Sequence, residues 1–240
     1  MTRLGRALLT SKLAQVGEFL AVFLVGGAVI WGVGPLVGED PLARQVVVWV
    51  ANVLMLVTVW LGLHFRGQGW EHYGLSFQVH SRRTVVRAVM QSLVVSVVAA
   101  LAFAVAAVVM ANIAGRPEAA DMSGYDFLRD NLAVFLLCLA GVYIVSSFGE
   151  EVIYRAFLIN RIAELGSGSK VAWRVAVVLS SVVFGGVHFE WGPAGMVQMV
   201  FMGLALGVSY LVVGRNLWVT ILAHVYLDTA LLLPIYFAAG

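Results

Sequence analysis

Residues 131–165 of the chain read NLAVFLLCLAGVYIVSSFGEEVIYRAFLINRIAEL, and this stretch decides the fold. Its first half has no charged side chain, and about 20 such residues in a helix, rising about 1.5 Å each, span the roughly 30 Å core of a bilayer. Glu150, Glu151 and Arg155 then interrupt the apolar pattern. Because a charge in lipid costs roughly 3 kcal/mol or more, the stretch predicts a membrane-spanning helix whose charges have a function.

The rest of the chain repeats this apolar pattern. Of the 240 residues, 61% are hydrophobic and 12% are charged, whereas soluble domains have roughly 45–50% apolar and about 25% charged residues. Apolar blocks predict about seven transmembrane helices, at residues 16–37, 45–64, 88–113, 131–149 continuing to about 165, 171–189, 195–213 and 216–237. The predicted fold is an all-α, polytopic transmembrane helical bundle, with residues 1–240 forming a single membrane domain.

Lys and Arg residues predict the orientation of this bundle, because basic connections stay on the cytoplasmic side. Eleven lie at the N-terminus and on the connections that share its side, and three lie on the alternate connections, namely Arg44, Arg116 and Arg129. We therefore expect the N-terminus to be cytoplasmic.

Net charge and cysteine content exclude two other classes of protein. The net charge is +2 with scattered basic residues, which does not suit a nucleic-acid partner. Cys138 is the single cysteine, so the chain has no intrachain disulfide and no cysteine-rich metal site.

Ionisable side chains inside the predicted spans are the candidate functional residues. Glu151 and Arg155 are four residues apart with the acid nearer the N-terminus, which favours an ion pair. Glu150 is rotated by about 100° from Glu151 on a helix, so that pair leaves Glu150 free to face a cavity. Glu18 lies at the mouth of the first span, where we expect it at the membrane interface.

Two further spans carry histidines. His224 and Asp228 are four residues apart, so the carboxylate orients the imidazole or both face one site. Phe184 lies one helical turn before His188, where its ring can form a wall of the same site. Gly149, Gly185 and Gly186 are expected to let the helices that carry these groups approach closely.

Register predicts that these groups meet. Residues 166–170, GSGSK, have the composition of a hairpin turn. Glu150 lies 16 residues before this turn and His188 lies 18 residues after it, so antiparallel helices would place them at similar depth. Taken singly, each group also has a structural explanation, as an ion pair, a histidine bonded to a backbone carbonyl, or an interhelical clamp or proton relay.

Three motifs occur in order on successive hydrophobic segments: Glu150-Glu151-x-x-x-Arg155, Phe184-x-x-x-His188 and His224-x-x-x-Asp228. This ordered set resembles the CPBP family of intramembrane proteases, which includes the type II CAAX prenyl endopeptidases and the bacterial Abi proteins. The resemblance covers about residues 130–235, the predicted protease core, and the first three predicted helices carry none of it.

The resemblance implies an intramembrane endopeptidase in which Glu150 is the catalytic glutamate, supported by Glu151 and Arg155. The implied remaining catalytic residues are His188, His224 and Asp228. In this mechanism Glu150 activates water, His188 positions that water, and His224 with residue 228 stabilises the oxyanion. The implied substrate is a membrane-associated peptide or protein, lipidated or not, and the implied location is a bacterial plasma membrane.

Asp228 departs from the prenyl endopeptidases, which commonly have asparagine there. An ionised aspartate cannot donate a hydrogen bond to an oxyanion, and Glu150 and Asp228 together leave two negative charges to compensate. The preferred interpretation is catalysis without a cofactor, in which Asp228 or a histidine holds a proton. The alternative is one divalent metal, zinc, bound by Glu150, His188, His224 and Asp228.

Two other functions are compatible with these residues. A non-catalytic immunity or scaffold protein could keep the same fold, and proton-coupled transport could use the same buried groups. The odd span count and the lack of internal repeats weigh against transport. No His-Glu-x-x-His motif occurs, which weighs against zinc proteases of the site-2 type.

Overall fold

The computed structural model describes residues 2–76, 81–114 and 122–238, and these residues are helical with connecting turns and no strand. Short 3-10 turns cover Gly34–Leu36, Trp70–Tyr73, Ser123–Leu128 and Phe189–Trp191. In chain order the α-helices of these regions are α1 Arg3–Thr10, α2 Lys12–Val33, α3 Pro41–Arg66, α4 Arg82–Ala114, α5 Leu132–Gly141, α6 Asn160–Leu165, α7 Lys170–Gly186, α8 Gly192–Val212 and α9 Leu217–Phe237. The predicted all-α class is confirmed.

Six described segments are long and apolar enough to cross a membrane: Lys12–Leu36, Pro41–Arg66, Arg82–Ile113, Leu132–Leu165, Phe189–Val212 and Leu217–Phe237. This confirms a polytopic bundle. The other predicted span corresponds to α7, which has 17 residues, slightly fewer than the about 20 that cross a bilayer. Seven spans and a cytoplasmic N-terminus therefore stay predictions, and Arg116 of the charge count lies outside the described residues.

One helical rod, from Leu132 to Leu165, carries the first motif. The Asn131 side chain accepts a hydrogen bond from the Val134 amide and so caps the start of the rod. Between α5 and α6 the rod is π-helical over Val142–Phe148 and again over Glu151–Ile159. Such wide turns, closed by bonds between residues five apart, are rare and frequent at functional sites. Glu150 lies between the two π segments.

Protein surrounds the charged part of this rod. Helices α3, α7 and α9 contact it, α8 packs on α7, and α4 packs against α8 and α9. As a result every residue from 151 to 161 is buried. The charges of the rod thus lie inside the bundle and are shielded from lipid.

Close helix contact at glycine is confirmed at one of the three predicted positions. A Cβ atom at Gly185 would lie 2.6 Å from the Met196 carbonyl oxygen on α8, so only glycine allows α7 and α8 to pack this closely. A Cβ at Gly149 would make a tight contact of 3.3 Å with Leu56. The prediction is wrong for Gly186, where a Cβ would meet nothing within 4 Å.

The predicted hairpin turn is confirmed between α6 and α7. Ser167 and Gly168 have φ angles of 57° and 64°, in the left-handed region that glycine adopts easily. Ser169 then caps α7 by accepting a hydrogen bond from the Ala172 amide at 3.1 Å. The two helices that follow and precede this turn therefore run antiparallel, as the register argument requires.

A group of charges and polar side chains with a buried centre and an exposed edge at His72 joins the N-terminal helices to the rod. Glu18, predicted only to lie at the interface, is buried and pairs with Arg66 on α3. Arg66 also donates to the Tyr73 hydroxyl at 3.0 Å and to the Gln68 side chain at 2.7 Å. We call this group the Glu18 cluster, with members Glu18, Arg66, His72, Tyr73, Arg161 and Glu164.

Arg161, near the end of the rod, completes the Glu18 cluster. It donates to Glu18 at 2.9 Å and to the Leu8 carbonyl oxygen of α1 at 2.8 Å, and it pairs with Glu164. His72 reaches Glu164 at 3.3 Å. Each of the three guanidinium nitrogens of Arg66 and of Arg161 therefore has a partner, and the cluster connects α1, α2, α3 and α6.

Candidate active site

His224 and Glu151 form the central contact between α9 and the rod. The His224 Nδ1 atom lies 3.0 Å from Glu151 Oε1, and both side chains are buried. Because an ionised carboxylate only accepts hydrogen bonds, Nδ1 is the protonated nitrogen and donates to Glu151. The contact brings together the first and third sequence motifs.

The other imidazole nitrogen of His224 faces two more carboxylates. Its Nε2 atom lies 3.9 Å from Glu150 Oε2 and 3.7 Å from Asp228 Oδ1. The sequence allowed Asp228 either to orient the His224 ring or to face the same site as the ring. The structure shows the second arrangement, because the carboxylate that orients the ring is that of Glu151. We call these side chains the Glu150 cluster, with members Glu150, Glu151, Arg155, His224 and Asp228.

Exposure differs within this cluster. The side chains of Glu150 and Asp228 keep 13% and 16% of their surface accessible, whereas those of Glu151 and His224 keep 0% and 2%. Part of Glu150 and of Asp228 is therefore accessible to a molecule the size of water, while the Glu151–His224 contact is enclosed by protein. The predicted orientation of Glu150, away from the Glu151–Arg155 pair and toward accessible space, agrees with this difference.

Arg155 forms the predicted pair with Glu151, at 3.2 Å between Nη1 and Oε1. Its guanidinium also lies over the Phe184 ring, 4.2 Å from the ring centre, where a cation is attracted to the aromatic face. Within the described parts of the chain, neither Nη1 nor Nη2 of Arg155 has a hydrogen-bond partner. Arg155 is therefore held by charge and by the ring rather than by hydrogen bonds.

Phe184 forms the predicted wall and links His188 to the cluster. Its ring centre lies 4.8 Å from that of His188 and 6.2 Å from that of His224. The Phe184 carbonyl oxygen accepts a hydrogen bond from His188 Nδ1 at 2.7 Å. Nδ1 is therefore protonated, and Nε2 of a neutral His188 remains able to accept a hydrogen bond from water.

Sequence reasoning missed the groups that hold Asp228. The Ser147 hydroxyl donates to Asp228 Oδ2 at 2.6 Å, and one turn away the Tyr143 hydroxyl meets that of Thr229, also at 2.6 Å. Ser147 lies four residues before Glu151, on the same side of the rod, which is the only signal in the sequence. Serine is common in membrane helices, so that signal is weak.

The alternative metal site does not fit the arrangement of its four predicted ligands. In residues 2–76, 81–114 and 122–238, no three His, Cys, Asp or Glu side chains gather closely enough to hold a metal ion. Glu150 and Asp228 lie 3.9 and 3.7 Å from His224 Nε2, whereas the ring contacts of His188 are with Phe184 and Trp191.

The fold and this site define a multi-pass membrane protein with a polar site buried between its helices. The segment that holds the site, residues 131–230, matches the family model described as Type II CAAX prenyl endopeptidase Rce1-like. The predicted resemblance to the CPBP and CAAX protease family is thereby confirmed for this segment. Neither a curated protein nor a solved structure matches the chain.

Proposed function

We propose that this protein is an intramembrane endopeptidase that hydrolyses peptide bonds of membrane-associated substrates, with Glu150 as the general base. The observation that carries the proposal is the approach of Glu150 and Asp228 to one nitrogen of His224, whose other nitrogen is anchored by Glu151. A carboxylate with access to water beside an oriented imidazole is what hydrolysis needs.

Attack begins with a water molecule between Glu150 and His188. Glu150 removes one proton from this water, and the lone pair of His188 Nε2 accepts a hydrogen bond from the other proton. The oxygen then adds to the substrate carbonyl carbon, and the carbonyl oxygen becomes an oxyanion. The proton held by Glu150 passes to the leaving amine when the C–N bond breaks, which returns the glutamate to its starting state.

His224 stabilises the oxyanion. With Nδ1–H committed to Glu151, only Nε2 remains for the substrate, and it donates when the ring is protonated. Glu151 pairs with Arg155, so a protonated His224 offsets one of the two negative charges of Glu150 and Asp228. Asp228 accepts from Ser147 and favours the protonated ring, a role that an aspartate can fill although it cannot donate to the oxyanion.

The proposed substrates are membrane-associated peptides or proteins, lipidated or not. Prenylated proteins are one candidate, because the matching family model is described as a prenyl endopeptidase. The proposed location is a bacterial plasma membrane, and the proposed catalysis uses no metal.

The test compares the membrane peptides of cells that produce the wild-type chain with those of cells that produce Glu150→Ala. We expect a membrane-associated peptide or protein to accumulate uncleaved with Glu150→Ala and to be processed with the wild type. An exposed acid distant from the site, Glu71, provides the matched control Glu71→Ala. Normal processing by Glu150→Ala would refute the proposal, and unchanged biological activity of variants at Glu150, His188 and His224 would favour a non-catalytic scaffold.

A further inference from the structure

A cavity of about 460 Å³ lies at the end of the bundle opposite the α6–α7 hairpin. Its walls come from the start of α3 and the preceding connection, from the 3-10 turn Ser123–Leu128, and from the 3-10 turn Phe189–Trp191. A volume of this size is typical of a site for a small molecule or a short peptide segment. The charged and aromatic side chains of the lining are Glu39, Arg44, Tyr125, Phe189, Glu190 and Trp191.

Trp191 connects this cavity to the candidate active site. Its ring centre lies 5.1 Å from that of His188, and its amide donates to the His188 carbonyl oxygen at 3.0 Å. His188 in turn contacts Phe184, the wall of the Glu150 cluster. Trp191 therefore lines the cavity and also contacts His188, the residue that positions water in the proposed mechanism.

Tyr125, on another wall, lies within the electrostatic reach of the same site. Burial raises the pKa of the Tyr125 hydroxyl, and the negative charges of Asp228, Glu150 and Glu190 raise it further. Asp228 and Glu150 belong to the Glu150 cluster, whereas Glu190 is exposed on the rim of the cavity. Tyr125 also packs against the hydrophobic group that includes Phe135 and Val142 of the rod and Leu232 of α9, so this wall borders the two elements that carry Glu150 and Asp228.

The lining has an excess of negative charge beside aromatic rings. Glu39 and Arg44 form an ion pair at 2.7 Å and offset each other. Among the described residues that line the cavity, this leaves Glu190 as the acidic side chain without an ion pair. Phe189 and Trp191, its neighbours in the turn, provide apolar and aromatic surface next to that charge. Such surfaces suit a basic side chain flanked by apolar ones.

We propose that this cavity is the vestibule through which the substrate reaches the Glu150 cluster, and that it binds a peptide segment with a Lys or Arg next to apolar residues. The inference rests on the proposed peptidase function and adds the class of sequence that the site selects. The three connections that build the vestibule all fall on the side that the Lys and Arg distribution predicts to be non-cytoplasmic, so the substrate would arrive from that side.

A binding experiment tests the vestibule separately from cleavage. The protein carries Glu150→Gln, so that bound peptides stay intact, and is held in nanodiscs of zwitterionic phosphatidylcholine. The probes are three dansyl-labelled heptapeptides of leucine and alanine that differ only in a central Lys, Glu or Leu, read by fluorescence anisotropy against empty nanodiscs. We expect the Lys peptide to bind about fivefold more tightly than the Glu peptide, the upper range for one accessible charge pair.

Charge variants assign that preference to one side chain. Glu190→Gln should remove the preference, and Glu190→Lys should reverse it, while the binding of the Leu peptide changes less than twofold. Glu71→Lys, an exposed acid on the turn Trp70–Tyr73, is the control and should keep the wild-type preference. Equal binding of the Lys and Glu peptides, or an unchanged preference in Glu190→Lys, overturns the inference.

A blocking experiment tests the route itself. Glu190→Cys, modified with a maleimide polyethylene glycol, should lose at least about tenfold of its affinity for the Lys peptide, and modified Glu71→Cys should lose none. The native Cys138 is buried and should not react. Unimpaired binding after modification at position 190 overturns the vestibule. These experiments measure binding, so a negative result would overturn the vestibule and leave the proposed peptidase function standing. Normal processing by Glu150→Ala would refute the peptidase function and leave the binding results unchanged.

Discussion

The Glu18 cluster and the Glu150 cluster are both buried groups of charges that join the rod to other helices, yet they are built differently. In the Glu18 cluster two glutamates meet two arginines, and every guanidinium nitrogen has a partner. In the Glu150 cluster three carboxylates meet one arginine and one histidine, and in the described parts of the chain neither Nη1 nor Nη2 of Arg155 has a hydrogen-bond partner.

This difference separates a structural site from a reactive one. Buried charges that are fully paired and hydrogen-bonded hold helices together and leave nothing to act on a substrate. Excess negative charge and unused hydrogen-bonding capacity raise the energy of the folded protein, and they are retained where chemistry requires them. The two clusters should therefore respond oppositely to substitution, one in stability and the other in activity.

The largest expected effect is on activity at Glu150. Glu150→Gln keeps the size of the side chain and removes the base, so cleavage of the peptide that accumulates with Glu150→Ala should fall by about a thousandfold. The melting temperature in detergent should change little, because Glu150 is partly accessible and its contact with His224 Nε2 is long, at 3.9 Å. Retention of activity within tenfold of the wild type would contradict a catalytic role for Glu150.

The next effect is on stability at Arg161. Arg161→Met keeps the length of the side chain but leaves Glu18 and Glu164 with fewer buried partners, and the free energy of unfolding should fall by about 3–5 kcal/mol. Thermal melting followed by tryptophan fluorescence measures this loss. Arg129→Met, at an exposed pair with Asp126, is the control and should cost at most about 1 kcal/mol. Activity per folded molecule should stay unchanged, and a selective loss of activity would contradict a structural role.

A smaller effect is expected at Ser147. Ser147→Ala removes the donor to Asp228, so the carboxylate is less fixed beside His224, and activity should fall about tenfold with a stability loss of about 1 kcal/mol. Steady-state cleavage and thermal melting measure both quantities. Ser96→Ala on the exposed side of α4 removes an equivalent hydroxyl and should change neither. An equal effect of the two variants would mean that the Ser147 hydrogen bond is not specific to the site.

The smallest effect is expected for chelation and for Asp228→Asn. An asparagine oxygen also accepts from Ser147, and its amide donates, so Asp228→Asn should keep activity within about tenfold of the wild type. Wild-type activity should survive prolonged incubation with 1,10-phenanthroline. Stoichiometric zinc in the purified protein, measured by mass spectrometry, together with loss of activity on chelation, would support the alternative that a metal offsets the excess charge.

Periodicity and residue chemistry predicted much of the architecture. The long rod, the hairpin turn after it, the Glu151–Arg155 pair and the meeting of the first and third motifs all depend on spacing along one helix or on length between turns. Such quantities can be read from a sequence because helical rise and rotation are nearly constant.

Contacts between helices were harder to predict. Neither the role of Glu151 as the anchor of His224 nor the donation from Ser147 to Asp228 follows from spacing, because both depend on how two helices are rotated about their axes. Arg66 and Arg161 were counted among the basic residues that orient the chain, yet both are buried in ion pairs. A charge at the end of an apolar block looks the same in sequence whether it faces headgroups or another helix.

The π-helical turns on either side of Glu150 make the site dependent on the number of residues as well as on their identity. A wide turn amounts to one residue more than an α-helical turn holds, and deletion of one residue from Val142–Phe148 would let that part of the rod relax to α-helical winding. Each residue of an α-helix advances the side chains by about 100°, so relaxation of the same turn without a deletion would instead rotate Glu150 and Glu151 relative to α5. The wide turns thus set the rotation of the rod, and their loss at unchanged chain length would misalign reactive groups that are all still present.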